Sequence, residues 1–338
     1  MRTLLILALS ISSLLSRCTN GESQKYYDSG YAKYKQKDYA GSVRDYNKAI
    51  ELRPDFALAY NNRGLSRKMM KDYDRAMADY NKALELNPDL SKAYSNRGLL
   101  KHDMHDNAGG LADCDKAIKI DPLSATIFNN RGLCHEGLGD FQLALSDYSR
   151  ALELDSNLSL VYNNRGYTLH AMGQDSAAIV DYDKAISMDP TDAYPFNNRG
   201  LSKHGLKNYA GAIADYNKAI ELEPELDAAY NNRGLSEYHL EQYDEAQKDY
   251  SRSLELNPKN AQANNNQGLL KYSRGDFKGA LADFEKAVSQ DSTQAISYCN
   301  RALAKLKLGQ KESGLKDMYK YKALGHPDAD EIIRAYWK

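Results

Sequence analysis

Asn62, Asn96, Asn130, Asn164, Asn198, Asn232, Asn266 and Asn300 place a side-chain amide every 34 residues along the chain. Each amide offers two N–H donors and a carbonyl acceptor, which matches the repeating groups of an extended peptide main chain whatever side chains that peptide carries. Asparagine is a mediocre helix former, so its regular return inside a helical pattern needs a reason beyond propensity. Three residues after each rung, Leu65, Leu99, Leu133, Tyr167, Leu201 and Leu235 supply an apolar floor. An amide ladder over such a floor suits an extended, mostly uncharged peptide. The alternative is that the amides are merely copied with each duplicated segment, or bond to one another inside the protein.

A second column alternates charge. Arg63, Arg97, Arg131, Arg165, Arg199, Arg233 and Arg301 each follow a rung, and Asp79, Asp113, Asp147, Asp181, Asp215, Asp249, Asp283 and Asp317 recur in the same period. A charge at a helix interface needs a partner, so the two columns predict a salt-bridge ladder. The preferred pairing joins each aspartate to the arginine of the following segment, because the first segment has Ser29 in the arginine's place. Pairing within one segment is the alternative.

Catalytic or metal chemistry finds little support. His102, His170 and His204 share one place in the period, with His135 and His239 a step to either side, but neighbouring helices stand ~8–10 Å apart and a metal needs at least a third ligand. His102-Asp103-Met104-His105 lacks the glutamate of a zinc-protease helix, and no phosphate loop or nucleophile elbow occurs. Asp113/Asp115 and Asp181/Asp183 lie two apart and so point to divergent helix faces. The expectation is no catalytic residue, no metal and no cofactor. Cys114, Cys134 and Cys299 are too few for a disulfide framework. A Cys114–Cys134 bridge and buried free thiols both remain open.

The elements that position these residues follow from the period. From Ser23 to Asp328 the chain divides into nine copies of 34 residues without an insertion. Numbering each copy from 1, position 8 is Gly30, Gly64, Gly98, Gly132, Gly166, Gly200, Gly234, Gly268 and finally Ala302. Position 20 is always small, and positions 4 and 24 are mostly aromatic, as in Tyr60 and Tyr80. Small residues let two helices approach, and the aromatics fill the space beside them. Proline at position 32, as in Pro54, Pro88, Pro122, Pro190, Pro224 and Pro258, ends one helix and turns the chain into the next. Apolar residues such as Met77, Tyr80, Leu84 and Leu86 recur near a 3.6 period, and no stretch alternates with period two, so each copy reads as a helical hairpin. In its first helix, positions 2, 6, 9 and 13 share one face, so the rungs at position 6 face outward from the hairpin.

An aromatic at 4, Gly at 8, Ala at 20, an aromatic at 24, Ala at 27 and Pro at 32 closely resembles the tetratricopeptide repeat family, nine times in register. The resemblance implies an all-α, right-handed superhelical solenoid of helix-turn-helix repeats. It also implies that first helices line a concave groove where peptides or partner proteins bind, and that the protein is a scaffold rather than an enzyme. In related arrays an asparagine ladder clamps peptide main chain, and the rungs named above match it. The family's carboxylate clamp pairs Lys at position 2 with Arg at position 6; here only Lys92 fits, which disfavours chaperone tails. With rungs ~8–10 Å apart, a bound strand would meet one about every third residue, and the groove would hold roughly 20 residues.

The ends differ in kind. Arg2 and the apolar run Leu4–Leu15 read as a secretory leader over 1–17, too short for the roughly 20 residues that span a bilayer. Leu15-Ser16-Arg17-Cys18 resembles a bacterial lipoprotein processing box, making Cys18 the lipidation candidate, although Arg17 departs from the small residue usual there. A lipidated anchor, a soluble secreted product and an uncleaved anchor all stay open, with residues 18–22 as a short tether. The expected location is the periplasm or outer membrane of a bacterium, with membrane contact only through that N-terminal lipid or signal. Residues 329–338 read as a capping helix, through Ile332, Ile333 and Tyr336. A formal net charge of -1 gives no general reason to bind nucleic acid. Two copies read as soft: the eighth, with Asn264, Gln267 and Ser292 at positions 4, 7 and 32, and the third, with Asn107, Gly109 and Gly110 in its second helix. The reading is a non-enzymatic scaffold that takes an extended peptide or protein partner, against a structural or self-associating solenoid as its rival.

Overall fold

The computed structural model describes residues 20–337, in which helices alternate with short turns and no strand occurs. Helix α1 covers 20–35. After it come α2 (Tyr39–Leu52), α3 (Ala57–Met69), α4 (Tyr73–Leu86), α5 (Ser91–Asp103), α6 (Asn107–Ile120), α7 (Ala125–Leu138), α8 (Phe141–Leu154), α9 (Ser159–Ala171) and α10 (Asp175–Met188). The alternation continues through α11 (Ala193–Gly205), α12 (Tyr209–Leu222), α13 (Asp227–His239), α14 (Tyr243–Leu256), α15 (Ala261–Ser273), α16 (Phe277–Gln290), α17 (Ala295–Lys307), α18 (Lys311–Ala323) and α19 (Ala329–Tyr336). The expected leader and Cys18 lie outside the described residues. The expected tether is shorter than the sequence suggests, because residues 20–22 already form the first turn of α1. The chain forms two compact units, one ending at Thr168 and the other starting at Leu169, inside α9.

Within a hairpin the close approach is set at position 8. A Cβ on Gly64 would stand 2.8 Å from Cε1 of Tyr80, and one on Gly200 only 2.5 Å from Cε1 of Tyr216. Both tyrosines are fully buried, as are Ala76, Ala83, Ala212 and Ala219 beside them. The core is split into small clusters, several of them built on the aromatic at position 24, as Tyr80 with Ala76 and Leu100, Tyr250 with Ala246 and Leu270, and Phe284 with Ala280 and Ala304. Burying each such ring contributes about 2–3 kcal/mol.

Two turns set the period. Between the helices of a hairpin, position 15 has positive φ whether it is Gly139 (82°), Gly173 (73°), Lys71 (61°), His105 (65°) or Lys207 (61°). A side chain there costs about 1–2 kcal/mol. Lys71→Gly is therefore expected to stabilise the first unit by about 1 kcal/mol in urea denaturation; an unchanged or lower midpoint would contradict the strain. Between hairpins, an Asx residue at position 31 closes the turn as well as proline does at 32. Asp155 accepts from the amide of Asn157 (2.9 Å) and Asp291 from that of Thr293 (2.8 Å), in the two turns where Ser156 and Ser292 replace proline.

The irregular copies keep this geometry. Asn264, in place of an aromatic, is buried and donates to Oε1 of Gln290 (2.8 Å), whose own amide donates to the carbonyl of Pro258 (2.8 Å). Gly109 lies in the first turn of α6, where its N–H is capped by Asp106 (2.9 Å). Gly110 has a packing role, since a Cβ on it would sit 2.8 Å from the carbonyl oxygen of Gly98. At the far end, Ile332, Ile333 and Trp337 pack against the cluster of Met318 and Tyr321, and Trp337 Nε1 donates to the carbonyl of Lys311 (2.8 Å).

Candidate peptide-binding face

The rungs at position 6 are joined through their neighbours at position 5. In the first unit Asn96 donates to Oδ1 of Asn61 (3.0 Å), Asn130 to Oγ of Ser95 (2.9 Å) and Asn164 to Oδ1 of Asn129 (3.0 Å), each bond crossing from one copy to the one before. Asn61 in turn donates to Oδ1 of Asn62 (2.9 Å), and Asn62 to the hydroxyl of Tyr27 (2.9 Å). The second unit repeats the scheme: Asn232 donates to Asn197 (3.1 Å), Asn266 to Asn231 (3.0 Å) and Asn300 to Asn265 (3.0 Å). Asn197 donates to the side chain of Asn198 (3.2 Å). The amides thus staple successive first helices together.

The staple does not exhaust the rungs. An asparagine amide has two N–H groups and two lone pairs, and each of these bonds uses one of them. Asn61, Asn129, Asn197, Asn231 and Asn265 are buried and serve the interior, whereas Asn62, Asn96, Asn164, Asn198, Asn232 and Asn300 are half-exposed. Asn130 and Asn266 are buried as well, so those two rungs are closed. The leucines at position 9, Leu65, Leu99, Leu133, Leu201 and Leu235, are half-buried, and Tyr167 is exposed. On the same face, position 2 presents Leu58, Leu160, Tyr194 and Ile296 to solvent. In the first unit this face holds a cleft of about 230 Å³ whose lining includes Asn62, Asn96, Leu65, Lys92 and Thr126. The inner row at position 5 was not identified from the sequence, although the doublet Asn-Asn repeating in register carried the signal.

The arginine column pairs within its own copy, correcting the expected pairing with the next. Arg63 makes a two-pronged bond to Asp79 (Nη2 2.6 Å, Nε 3.0 Å), and the same geometry joins Arg97 to Asp113, Arg131 to Asp147, Arg199 to Asp215, Arg233 to Asp249 and Arg301 to Asp317. The reason lies in the hairpin: seating position 8 on position 24 brings the preceding residues, 7 and 23, together across the same pair of antiparallel helices. Ser29, the basis of the wrong choice, fills the role neutrally by donating to Asp45 (2.6 Å). Arginine still reaches the preceding copy through its other nitrogen, Nη1, which meets Asn47 from Arg63 (2.7 Å), Asp115 from Arg131 (2.9 Å) and Asp183 from Arg199 (2.6 Å). Hydrogen bonds that Arg131 donates to Asp147 and Asp115 hold its guanidinium charged despite its burial.

Most of these aspartates also meet a second cation four residues after the arginine. Arg67 reaches Asp79 (2.7 Å), Lys101 reaches Asp113 (2.8 Å), Lys203 reaches Asp215 (2.8 Å) and Lys305 reaches Asp317 (2.8 Å). Lys271 does so for Asp283 (2.6 Å) in the copy whose arginine is replaced by Gln267. Burial alone would push the Asp113 carboxyl up, but the hydrogen bonds from Arg97 and Lys101 hold it below the usual carboxylate range. The seventh copy breaks the rule with Glu237, a buried carboxylate beside Arg233 (3.9 Å) whose Oε2 has no partner. Burial, reinforced by Asp249, pushes its pKa up to about 7.

The histidines serve locally. His102 Nδ1 pairs with Asn107 (2.7 Å), and His204 Nδ1 with Ser236 (2.8 Å). His204 and His239 have ring centroids 5.2 Å apart, and burial with the neighbouring His239 lowers the His204 pKa to about 4. His170 contacts Asp175 (2.5 Å) and Ser202 (3.3 Å) through the same nitrogen, Nδ1, so it cannot relay a proton between them. Among the described residues no three histidine, cysteine or acidic side chains gather as a metal site. Cys114, Cys134 and Cys299 are buried free thiols.

Stacked helical hairpins stapled by side-chain amides and ion pairs define a helical-repeat solenoid. The chain belongs to the tetratricopeptide repeat family: models described as tetratricopeptide repeat match residues 57–90, 125–158, 159–192, 193–226 and 228–260, and one described as TPR repeat matches 30–71 and 268–309. It is similar in fold to the APC/C hetero-tetramer Cut9–Hcn1, with a TM-score of 0.66 at 13% identity over 94% of this chain and 76% of the other. It is also similar to a tetratricopeptide repeat protein from Parabacteroides merdae, with a TM-score of 0.61 at 22% identity over 73% of this chain and 99% of the other. Among curated proteins none matches the chain significantly in sequence. Repeats of this family form protein-interaction scaffolds, generally without enzymatic activity.

Proposed function

We propose that the protein binds an extended, mostly apolar peptide segment of a partner protein on the face that carries the position-6 amides. The observation that carries this reading is the half-exposure of Asn62 and Asn96 beside Leu65 in a cleft of the first unit. The remaining N–H of the half-exposed rungs Asn62, Asn96, Asn164, Asn232 and Asn300 would meet a peptide carbonyl, and the apolar side chains at positions 2 and 9 would hold alternate ligand side chains. The rival reading is a structural solenoid in which the amides only staple the helices, and the inter-copy bonds of Asn96, Asn164 and Asn232 favour it in part.

The two readings separate by comparing rows. Asn62→Ala, Asn96→Ala and Asn164→Ala together remove the outer amides, while Asn61→Ala, Ser95→Ala and Asn129→Ala remove the inner partners of the same network. Both sets disturb the staple, but only the outer one removes groups that face a ligand. On a random-peptide array, the outer set is expected to weaken binding about 100-fold across sequences, from about 1 kcal/mol for each of the three lost bonds. Equal losses from the two sets would leave the amides as staples. We further propose export, with Cys18 as a lipid-bearing residue at the membrane surface. Intact mass of the processed chain tests it, and a mature N-terminus other than a lipid-modified Cys18 would overturn the anchor.

A further inference from the structure

We propose that Cys114 and Cys134 form a disulfide that staples the third copy to the fourth when the chain folds in an oxidising compartment. The repeat register supplies the juxtaposition. Position 24 of one copy meets position 10 of the next throughout: Tyr80 packs with Leu100, Tyr250 with Leu270, and Phe284 with Ala304. Cysteine takes position 24 only in the third copy and position 10 only in the fourth, so two departures from their columns fall at one contact.

The local packing is shaped around the two sulfurs. A Cβ on Gly98 would lie 2.8 Å from Sγ of Cys114, and one on Gly110 would lie 2.8 Å from Sγ of Cys134. The same added atoms would lie 2.9 Å and 2.8 Å from the opposite glycine's carbonyl oxygen, so both thiols sit against one close crossing of α5 and α6. Both cysteines are fully buried, and the neighbouring Cys134 thiol together with burial pushes the Cys114 pKa up. Cys299, by contrast, stands in the second unit in a cluster with no other cysteine.

Closure needs a disulfide donor, such as oxidised glutathione. One cysteine thiolate attacks the donor and forms a mixed disulfide, releasing one glutathione thiolate. The second cysteine thiolate then attacks the protein sulfur and releases the other. Two protein thiols lose two electrons and two protons, and the donor becomes two glutathione thiols. Burial withholds both sulfurs from the donor in the folded chain, so closure takes place while α6 and α7 are docking.

The test refolds the reduced, denatured full chain in a buffer of reduced and oxidised glutathione. Expected are the loss of two of the chain's four thiols and a linked pair of peptides containing Cys114 and Cys134 in a digest without reductant. The bridged chain is expected to have a higher melting temperature that returns to the reduced value on adding dithiothreitol. Cys134→Ser places the residue found at position 10 in Ser66, Ser202 and Ser236, so it is expected to fold and to retain Cys114 as a free thiol. Four free thiols after refolding, a glutathione adduct at either cysteine, or a bridge to Cys299 would overturn the proposal.

Discussion

Asp113→Ala is expected to lower the unfolding free energy of the first unit by about 3 kcal/mol. The carboxylate is 2% exposed and holds two cations, Arg97 (2.6 Å) and Lys101 (2.8 Å). Removing it leaves both positive charges facing each other in a partly buried crevice with no counter-charge. Their side chains keep 17% and 23% of their surface in water, which tempers the penalty and sets the lower end of the range for broken buried pairs. Because the Asp113 pKa is depressed, its contribution is present above the ordinary aspartate range and is lost as pH falls through the depressed value. Urea denaturation at neutral pH measures the effect; a midpoint equal to that of the parent would mean that the clamp contributes nothing. Asp147→Asn keeps the shape but loses the charge of a pair with a single guanidinium, and the expected loss is about 1–2 kcal/mol.

Glu237 makes the second unit sensitive to alkaline pH. Its folded pKa of about 7 lies above the ordinary 4.5, because burial and the nearby Asp249 penalise its charge more than Arg233 relieves it, and Glu245 adds to the penalty. The sign follows from linkage: the folded state binds the proton more tightly than the unfolded state, so the contribution is full below about pH 4.5 and is lost as pH rises through about 7. The full span of that shift is worth about 3 kcal/mol. Glu237→Gln imitates the protonated acid and is expected to match the parent near pH 5 and exceed it by about 3 kcal/mol near pH 9. Glu237→Lys restores the cation found at this place in Lys101, Lys203 and Lys305, and is expected to stabilise above neutrality as well. If the Gln variant and the parent kept a constant difference across that range, the carboxyl would not be titrating between them.

How much of this was legible depended on whether a residue acts along the chain or across it. Gly64, Tyr80 and Pro88 declared the hairpin because each obeys a local rule repeated every 34 residues. The pairing of Arg63 was not legible, since 16 residues forward to Asp79 and 18 back to Asp45 are equally compatible with a repeating pattern. Ser29 misled because a hydroxyl can replace a guanidinium as donor to the same aspartate. The cations at position 11 were visible as residues but not as partners, since only the antiparallel crossing shows which carboxylate they meet.

By itself the sequence determined the all-helical repeat, its period and the residues that build each hairpin, because these depend on spacing along a helix and on the sizes of small and aromatic side chains. Tertiary structure alone decided that arginine closes its own hairpin and that the asparagines first bond to one another. Those outcomes depend on which helix stands beside which, and on how many of an amide's hydrogen-bonding positions the neighbouring copy has already taken.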